Sequence, residues 1–362
     1  MQYLIMPNYK QSKLLLIGTI LLVAMVSSYS LISPNLLKEI IIQKSSKAEP
    51  PKSNFTPIAE VVSRGNATFH SEVIQDAFIH SQKVIQKERQ NRIINVCEKY
   101  HMTSRDDVIN KPPFNIIVDH NHKVIFCFVP KVACTSWKRI FLVLKGIISD
   151  TDEINQHDIN HHEQKNLDFF FRQTRQMRRH ILESYTKIMF ARHPMSRVLS
   201  AYTNKLSPNS TFSGAKGWQR GLGNRILKHF YPTSTHKTYD LTFGDFVKYL
   251  GEEHEGDGDS KGRDNKHWKE IYKMCSPCSI NYDIIGKIET MSRDVEFVLK
   301  SLHISDMVKF PSSSGSSPTN SSSHIIPYYT KIPTEDVIRL YERYRLDFEM
   351  FGYDIPNEIQ LK

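Results

Sequence analysis

Two basic segments of the chain contain residue types that bind phosphate or sulfate groups. The first, PKVACTS from Pro130 to Ser136, combines one lysine with two hydroxyl side chains directly before a predicted helix. The second, RHPMSRVLS from Arg192 to Ser200, supplies two arginines and a serine. The first N–H groups of a helix lack partners within the helix and carry partial positive charge, so both segments predict anion sites. Two such sites suit one ligand with two separated anionic groups.

The first segment is not the P-loop of nucleotide triphosphatases. The sequence contains no G-x-x-x-x-G-K-[ST] motif, and no acidic strand end near Lys131 offers ligands for magnesium. Taken alone, a short basic loop is equally well explained as a solvated turn. The second segment favours anion binding over a solvated turn, because eight Lys or Arg residues and one acid, Glu183, lie between Arg172 and Lys205.

Short apolar runs predict the elements that hold these loops. Strands are predicted over 124–129 and 186–191, each followed by a basic loop and then by a helix. Ligands of parallel α/β proteins bind at the carboxyl ends of the strands, so both loops are expected at one sheet edge. The run 115–119 predicts a hairpin with the first strand, or two adjacent strands. A further strand is predicted over 282–288, and helices over 71–100 and from Thr334 onward.

These segments together resemble a known family. The pairing of PKVACTSWKR with RHPMSRVLSAYTNK is similar to the Golgi carbohydrate sulfotransferases of the chondroitin 4-O-sulfotransferase and HNK-1 sulfotransferase group. The similarity continues in the same order through Asn265–Trp268, Cys275–Cys278, Tyr282–Thr290 and Tyr341–Tyr353, and so covers roughly Cys97 to Tyr353. The resemblance implies a P-loop-like sulfotransferase fold of the α/β class, with a parallel sheet flanked by helices and an N-terminal transmembrane helix.

The resemblance also implies the donor, 3′-phosphoadenosine 5′-phosphosulfate (PAPS), with no metal. In this interpretation the first loop binds the 5′-phosphosulfate, the second binds the 3′-phosphate, and Lys131 is catalytic at the bridging oxygen. The implied donor-binding residues are Pro130, Lys131, Val132, Ala133, Cys134, Thr135, Ser136, Arg192, Arg197 and Ser200. The family's usual loops read Thr-Asn-Trp and Arg-Glu/Asp-Pro-Phe, so Ser136, His193 and Met195 are departures.

Sulfuryl transfer to a hydroxyl needs a base, and histidine or glutamate are candidates. His161 ranks first because related enzymes tend to carry a histidine between the two donor motifs, and His267 ranks second. His157, His162 and Glu289 are further candidates, each explained as well or better by a structural role. Trp268 could stack on a sugar ring or serve as a core aromatic, and the sequence favours neither.

The predicted reaction is therefore sulfation of a glycosaminoglycan, chondroitin-like and at GalNAc O4, or of a related glycan. Dermatan and an N-glycan terminus remain open as acceptors. The chain has 362 residues with 48 Lys plus Arg against 38 Asp plus Glu, a net charge of +10 that suits an anionic partner. The alternative is a catalytically inactive lumenal glycan-binding paralogue. A nucleic-acid-binding protein would also be basic, but no nucleic-acid module is recognisable.

The five cysteines allow either metal binding or disulfides. Cys275 and Cys278 have the spacing of a zinc knuckle, but the sequence contains no second such pair. A structural disulfide in an oxidising compartment is the better prediction. Because the count is odd, at least one thiol stays unpaired within the monomer.

The N-terminal region predicts the cellular location. Leu14 to Ile32 is an uncharged apolar stretch long enough to span a bilayer, and a cleaved signal peptide is the alternative. The predicted organisation is a cytosolic tail over 1–13, a signal anchor over 14–32, a stem over 33–70 and a lumenal sulfotransferase domain over 71–362. Sequons at Asn54, Asn66, Asn209 and Asn320 favour a lumenal body. The expectation is a single-pass type II Golgi membrane protein whose oligomeric state the sequence leaves open.

Overall fold

Five short apolar strands form one sheet in the computed structural model, which describes residues 58–102, 105–154, 158–233, 238–252, 262, 264–311 and 322–359. The chain divides into two compact units, Met1–His70 and Ser71–Lys362. The sheet and both basic loops belong to the second unit. The strands are β1 Ile116–Asp119, β2 Val124–Cys127, β3 Asp168–Phe169, β4 Thr186–Ala191 and β5 Ile284–Lys287.

The sheet is mixed, which corrects the prediction of a parallel sheet. The strand order is β3-β1-β2-β4-β5, and β1 runs antiparallel to both of its neighbours, while β2, β4 and β5 are mutually parallel. A tight turn explains the reversal, because the Asp119 carboxylate accepts from the N–H of Asn121 at 2.9 Å and Lys123 has φ of 50°. The predicted hairpin of β1 and β2 is confirmed.

Close packing on the sheet depends on one glycine. Gly286 in β5 lies opposite Phe190 in β4, and a Cβ at Gly286 would overlap the Phe190 ring. The ring instead packs against Trp137, with centroids 5.1 Å apart, and Trp137 also packs on Phe126 of β2. Trp137 is 1% exposed. The aromatic residue after the first basic loop thus anchors that helix to the sheet.

Helices and short helical turns connect and cover the strands. The helices are α1 Ile58–Lys99, α2 Arg105–Asn110, α3 Cys134–Leu144, α4 Ile159–Asn166, α5 Arg175–Ser184, α6 Pro194–Lys205, α7 Ala215–Trp218, α8 Asn224–Phe230, α9 Phe243–Gly251, α10 Ile271–Cys275, α11 Pro277–Ile280, α12 Met291–Ser301, α13 Ser322–Tyr329 and α14 Thr334–Phe351. Shorter turns are the 3-10 segments Phe170–Arg172 and Ile288–Thr290 and the π segment Gln219–Gly223. Helix α1 begins at Ile58, well before the predicted start at Ser71 and inside the predicted stem.

The buried apolar side chains form two clusters. One contains the strands together with α3, α10 and α12, and includes Ile117, Phe126 and Met189. The other joins α6, α9 and α14 through residues such as Leu199 and Phe246. Helix α6 carries members of the second cluster and directly follows a strand of the first. The second basic loop therefore lies at the junction of the two clusters.

Two disulfides join distant parts of the chain. Cys97 on α1 pairs with Cys278 on α11, and Cys127 at the end of β2 pairs with Cys275 at the end of α10. The preference for disulfides is confirmed, and because each cysteine of the CxxC motif has another partner, the motif is not a zinc knuckle. Cys134 is the remaining free thiol. Metal-ligand clusters of three or more His, Cys, Asp or Glu side chains are absent from the described ranges.

The predicted anchor, Leu14 to Ile32, lies outside the described residues. None of the helices over the described ranges is both long and apolar enough to cross a bilayer.

Candidate donor site and catalytic groups

The first basic loop leaves β2 in a conformation that exposes main-chain donors. Lys131 has φ of 70° and Ala133 has φ of 50°, the left-handed region that non-glycine residues seldom occupy. Strained backbone of this kind persists where the surroundings enforce it, and Val132 between them is 1% exposed. Ala133 is the N-cap of α3 and provides no side-chain cap. The N–H groups of the first turn of α3 are therefore available to an anion.

Side chains along this loop alternate in burial. Pro130 and Val132 are buried, whereas Lys131, Ala133, Cys134, Thr135 and Ser136 are partly exposed. The buried pair holds the loop on the core. The partly exposed positions supply the ammonium group, the hydroxyl groups and the start of α3.

The second basic loop binds the first through main-chain carbonyls. Arg192, directly after β4, donates from Nη1 to the carbonyl oxygen of Lys131 at 2.9 Å. Arg197, in the first turns of α6, donates from Nε to the carbonyl oxygen of Pro130 at 3.1 Å. Parallel pairing of β2 with β4 puts both loops at one sheet edge. The structure thus brings Lys131 and Arg192 together, as the sequence predicted.

Arg197 differs from the predicted phosphate ligand. Its side chain is 1% exposed, and its guanidinium also donates to the carbonyl oxygens of Lys269 at 2.6 Å and Lys266 at 3.0 Å. A group buried to this extent with three carbonyl partners has no surface left for a phosphate. Arg197 is instead a positioning residue that fastens the loop before Lys131 to the segment on either side of His267.

Ser200 and the groups around His193 complete the second loop. Ser200 lies one helical turn after Arg197 on α6 and is 9% exposed. Glu289 accepts from the N–H of His193 at 2.9 Å and from the hydroxyl of Tyr353 at 2.8 Å. Its carboxylate is therefore held at the start of α6, a structural role that the sequence had favoured.

His193 stands where the family usually has an acid. Its Nε2 lies 2.9 Å from the carbonyl oxygen of Asp354, which accepts only, so Nε2 carries the proton. Burial lowers the pKa of His193, which keeps the ring neutral. The ring packs between Phe348 and Tyr353, each with a centroid 5.3 Å away.

Lys205 is a cation of this site that sequence analysis did not select. It is 9% exposed, and its ammonium lies 3.7 Å from the ring centroid of Phe212 and 5.5 Å from that of Trp218. Its charge contributes to lowering the pKa of Lys131, so the two ammonium groups share one electrostatic environment. The sequence signal was its place at the end of the second motif, at the last turn of α6.

The basic side chains at this edge have lowered pKa values because they are buried. Burial lowers the pKa of Lys131 to about 8, that of Lys205 to about 8 and that of Arg192 to about 10. Neighbouring positive charges, such as that of Arg192 on Lys131, lower these pKa values further. A concentration of partly desolvated cations favours an anionic ligand, which would relieve their mutual repulsion.

His267 lies close to these cations and has a fixed tautomer. The Asn265 side-chain oxygen accepts from the main-chain N–H of His267 at 3.1 Å and lies 2.8 Å from Nδ1. A main-chain N–H can only donate, so this atom is the amide oxygen and Nδ1 must carry the proton. Nε2 is then the basic nitrogen. Burial lowers the pKa of His267 to about 2, with further lowering by Lys205, Lys266, Lys131 and Arg197.

The other aromatic and histidine predictions have different outcomes. Trp268 is fully buried and donates from Nε1 to the carbonyl oxygen of Gly262 at 3.0 Å, so it is a core residue and not a sugar platform. His161 lies on α4, but its side chain is outside what the structure describes, as is all of His157. An ion pair between Lys138 and Glu163, 2.6 Å apart, fastens α4 to α3. The predicted catalytic role of His161 stays a prediction.

Known proteins similar in sequence to this chain belong to one family. The profile described as "Sulfotransferase family" matches residues 114–354. The chain is 33% identical to rat carbohydrate sulfotransferase 11 over 282 residues, which cover 77% of this chain and 78% of that one. It is 30% identical to Xenopus laevis carbohydrate sulfotransferase 12 over 345 residues, covering 87% and 79%, and 32% identical to zebrafish carbohydrate sulfotransferase 14 over 297 residues, covering 78% and 74%. No solved structure matches the chain significantly. The resemblance seen in the sequence is confirmed, and the chain belongs to the sulfotransferase family.

Proposed function

We propose that this protein transfers a sulfuryl group from PAPS to a hydroxyl group of a glycan. The observation that carries the proposal is the contact between the two loops, in which Arg192 and Arg197 bind the carbonyls of Lys131 and Pro130. That contact brings the uncapped N-terminus of α3 together with Lys131, Lys205 and Arg192 in one site. Membership of the sulfotransferase family and the names of the similar carbohydrate sulfotransferases support this reaction and acceptor class.

The residues fit a donor with two anionic ends. The loop from Pro130 to Ser136, with its left-handed turns and the first turn of α3, would hold the 5′-phosphosulfate through main-chain N–H groups and hydroxyls. Arg192 and Ser200 would hold the 3′-phosphate by charge-assisted hydrogen bonds of roughly 1.5–3 kcal/mol each. Arg197 would keep the two loops in register.

The donor supplies an activated sulfuryl group: a new bond from the acceptor oxygen to sulfur replaces the bond from sulfur to the 5′-phosphate oxygen. Lys131 is suited to stabilise the negative charge that develops on that bridging oxygen, and Lys205 adds a second positive charge nearby. With a pKa of about 8, the Lys131 ammonium stays protonated at neutral pH.

His267 is the better-supported base of the two candidates. Its protonated Nδ1 is held by Asn265, which leaves Nε2 to take the proton of the acceptor hydroxyl. Burial, and after it the surrounding cations, lower the pKa of His267 and keep the imidazole neutral, which is the form a base requires. The anionic donor would offset those cations and raise the basicity of Nε2 when both substrates are present. His161 remains the alternative base from the sequence.

The acceptor is proposed as a glycosaminoglycan, chondroitin-like and modified at GalNAc O4, on the basis of the family resemblance alone. Dermatan and an N-glycan terminus are the other acceptors to test. We also propose a single-pass type II Golgi membrane protein with a lumenal catalytic domain. Two disulfides, which form in oxidising compartments, support that location, and so does the exposed position of Asn209 in its sequon.

The test is transfer of radiolabelled sulfate from PAPS by the full-length protein to desulfated chondroitin, dermatan and N-glycan acceptors. Wild-type protein is expected to label at least one acceptor, and Lys131→Ala and Arg192→Ala are each expected to lower labelling at least about a hundredfold. Lys83→Ala, an exposed lysine on α1, is the matched control and should retain full activity. A folded wild-type protein that binds glycans and labels none would favour the inactive glycan-binding paralogue instead.

A further inference from the structure

A third strand end lies at the same sheet edge as the two donor loops. Strand β3 pairs antiparallel with β1, and β1 pairs antiparallel with β2, so β3 and β2 run in the same direction. The chain therefore leaves β3 at Phe169 toward the edge where β2 leads to Pro130. Strands are spaced about 4.8 Å apart, which puts the end of β3 about 10 Å from β2 along this edge. The rings of Phe128 and Phe169, with centroids 6.4 Å apart, agree with that proximity.

The segment after β3 is strongly basic. Residues 170–181, FFRQTRQMRRHI, contain four arginines and no acid. Arg172, Arg175 and Arg179 are exposed. Arg175 and Arg179 are four residues apart on α5 and so lie on one side of that helix, and Arg172 ends the 3-10 turn that precedes it. The proposed donor site uses none of these charges.

Exposed aromatic rings accompany these arginines. Phe114, just before β1, is 54% exposed, and Phe171 is 36% exposed. The Arg172 guanidinium lies 4.9 Å from the ring centroid of Phe169 and 5.4 Å from that of Phe171. We name the set Phe114, Phe171, Arg172, Arg175 and Arg179 the β3-edge surface. Arginine binds carboxylate and sulfate groups through paired N–H donors, and aromatic rings stack on the apolar faces of sugars.

Arg178, the fourth arginine of this segment, orders the backbone that carries the β3-edge surface. Arg178 donates to three carbonyl oxygens, those of Ile109 at 2.7 Å, Phe171 at 2.6 Å and Phe170 at 3.2 Å. The Thr174 hydroxyl accepts from the N–H of Met177 at 3.1 Å and so caps α5. The exposed arginines therefore project from backbone that is already ordered, which reduces the entropy lost when a ligand binds.

We propose that the β3-edge surface binds an acidic polysaccharide at sugars beyond the one that reacts. The inference rests on the proposed function and names the acceptor as a polymer with regularly spaced negative charges, such as a uronate-containing chain. Several exposed cations beside exposed rings, at the edge that also carries Lys131, match an anionic sugar chain. The surface raises the affinity for long acceptors and takes no part in the sulfuryl transfer.

The test compares two charge-removing double variants of the full-length protein. Arg175→Gln/Arg179→Gln removes an exposed pair four residues apart on α5. Lys83→Gln/Lys87→Gln removes a matching exposed pair on α1, which contacts β5 at the opposite end of the sheet order. We expect the α5 variant to raise the KM for polymeric desulfated chondroitin about fivefold to tenfold, the modest effect of removing two solvent-exposed charges. The KM for a short oligosaccharide, kcat and the KM for PAPS should stay within about twofold.

A binding measurement separates this inference from the proposed reaction. On a chondroitin sulfate column the α5 variant is expected to elute at lower salt than both wild type and the α1 variant, with unchanged thermal stability. Equal elution and equal polymer KM for all three proteins would overturn the inference while leaving sulfuryl transfer intact. Binding to phosphatidylserine vesicles that depends on the α5 pair, without binding to chondroitin, would also overturn it and indicate a membrane contact. Absence of transfer by wild type would instead reject the proposed function.

Discussion

Arg197 Nε lies 3.1 Å from the carbonyl oxygen of Pro130, the residue directly before Lys131. The same guanidinium donates to the carbonyl of Lys266, directly before His267. One buried side chain therefore sets the spacing between the lysine and the histidine to which we assign the chemistry. Because catalysis by positioned groups is sensitive to displacements of about 1 Å, we expect Arg197 to affect the reaction through its hold on both segments rather than by binding a substrate.

Arg197→Lys is expected to lose both activity and stability. A lysine cannot reach three carbonyl oxygens in a fixed plane, so buried acceptors lose their partners, at a cost of about 3 kcal/mol or more in the free energy of unfolding. Denaturant unfolding and donor-saturated kcat would measure the two effects. Arg220→Lys, at an exposed site on the π segment, should leave both within error. A stable Arg197→Lys protein with wild-type kcat would contradict the positioning role.

The affinity for 3′-phosphoadenosine 5′-phosphate, the product of the donor, is expected to fall at alkaline pH. Burial lowers the pKa of Lys131 and of Lys205 to about 8. Each lysine is protonated below that pKa and attracts the anion, and each loses its charge as the pH rises through it. Calorimetry should therefore show affinity falling about tenfold or more between about pH 7 and about pH 9. Lys131→Gln should bind more weakly at neutral pH and show a shallower decline, whereas constant wild-type affinity would contradict the lowered pKa values.

Local pattern was enough to predict four of the five strands, the two loops and the meeting of Lys131 with Arg192, whereas the two-residue strand β3 is too short to leave a periodic signal. The direction of β1 depends on the turn at Asp119, and a parallel sheet was expected because the strand-loop-helix units dominate the pattern. Arg197 could not be separated from Arg192 by sequence, since the difference is burial at 1% and three carbonyl partners from distant segments. Lys205 was missed for a related reason: its electrostatic effect on Lys131 depends on how α6 packs, which its place at the end of the motif does not reveal.

His267→Ala is expected to lower kcat about 10²–10⁴-fold, the range for loss of a general base. The affinity for the bisphosphate product should stay nearly unchanged, because the imidazole it removes is neutral. Imidazole in the buffer should restore part of the activity, which a structural defect would not allow. Asn265→Ala should lower kcat less, by about tenfold, because the variant no longer fixes the tautomer of His267 but retains its imidazole. If His267→Ala retained wild-type kcat, His161 would become the base to test.

The two disulfides are expected to have different effects on the donor site. Removing either pair should lower the free energy of unfolding by about 2–5 kcal/mol, because each closes a long loop. Cys127 lies three residues before Pro130, and Cys275 ends the helix that follows the His267 segment. Cys127→Ala/Cys275→Ala should therefore also weaken bisphosphate binding and lower kcat. Cys97→Ala/Cys278→Ala is the matched control, and equal kinetic losses in both variants would assign the effect to stability alone.

Cys134 offers a direct probe of the donor loop. It is the free thiol among the described residues, is partly exposed and is the first residue of α3. Alkylation by N-ethylmaleimide would put a bulky group where the 5′-phosphosulfate is proposed to bind, so we expect loss of transfer activity. The bisphosphate should slow that loss in proportion to its occupancy. Cys134→Ser should keep activity within about threefold and resist the reagent, since the thiol has no chemical role in the reaction. Inactivation of Cys134→Ser at the wild-type rate, or no protection by the bisphosphate, would remove Cys134 and the start of α3 from the donor site.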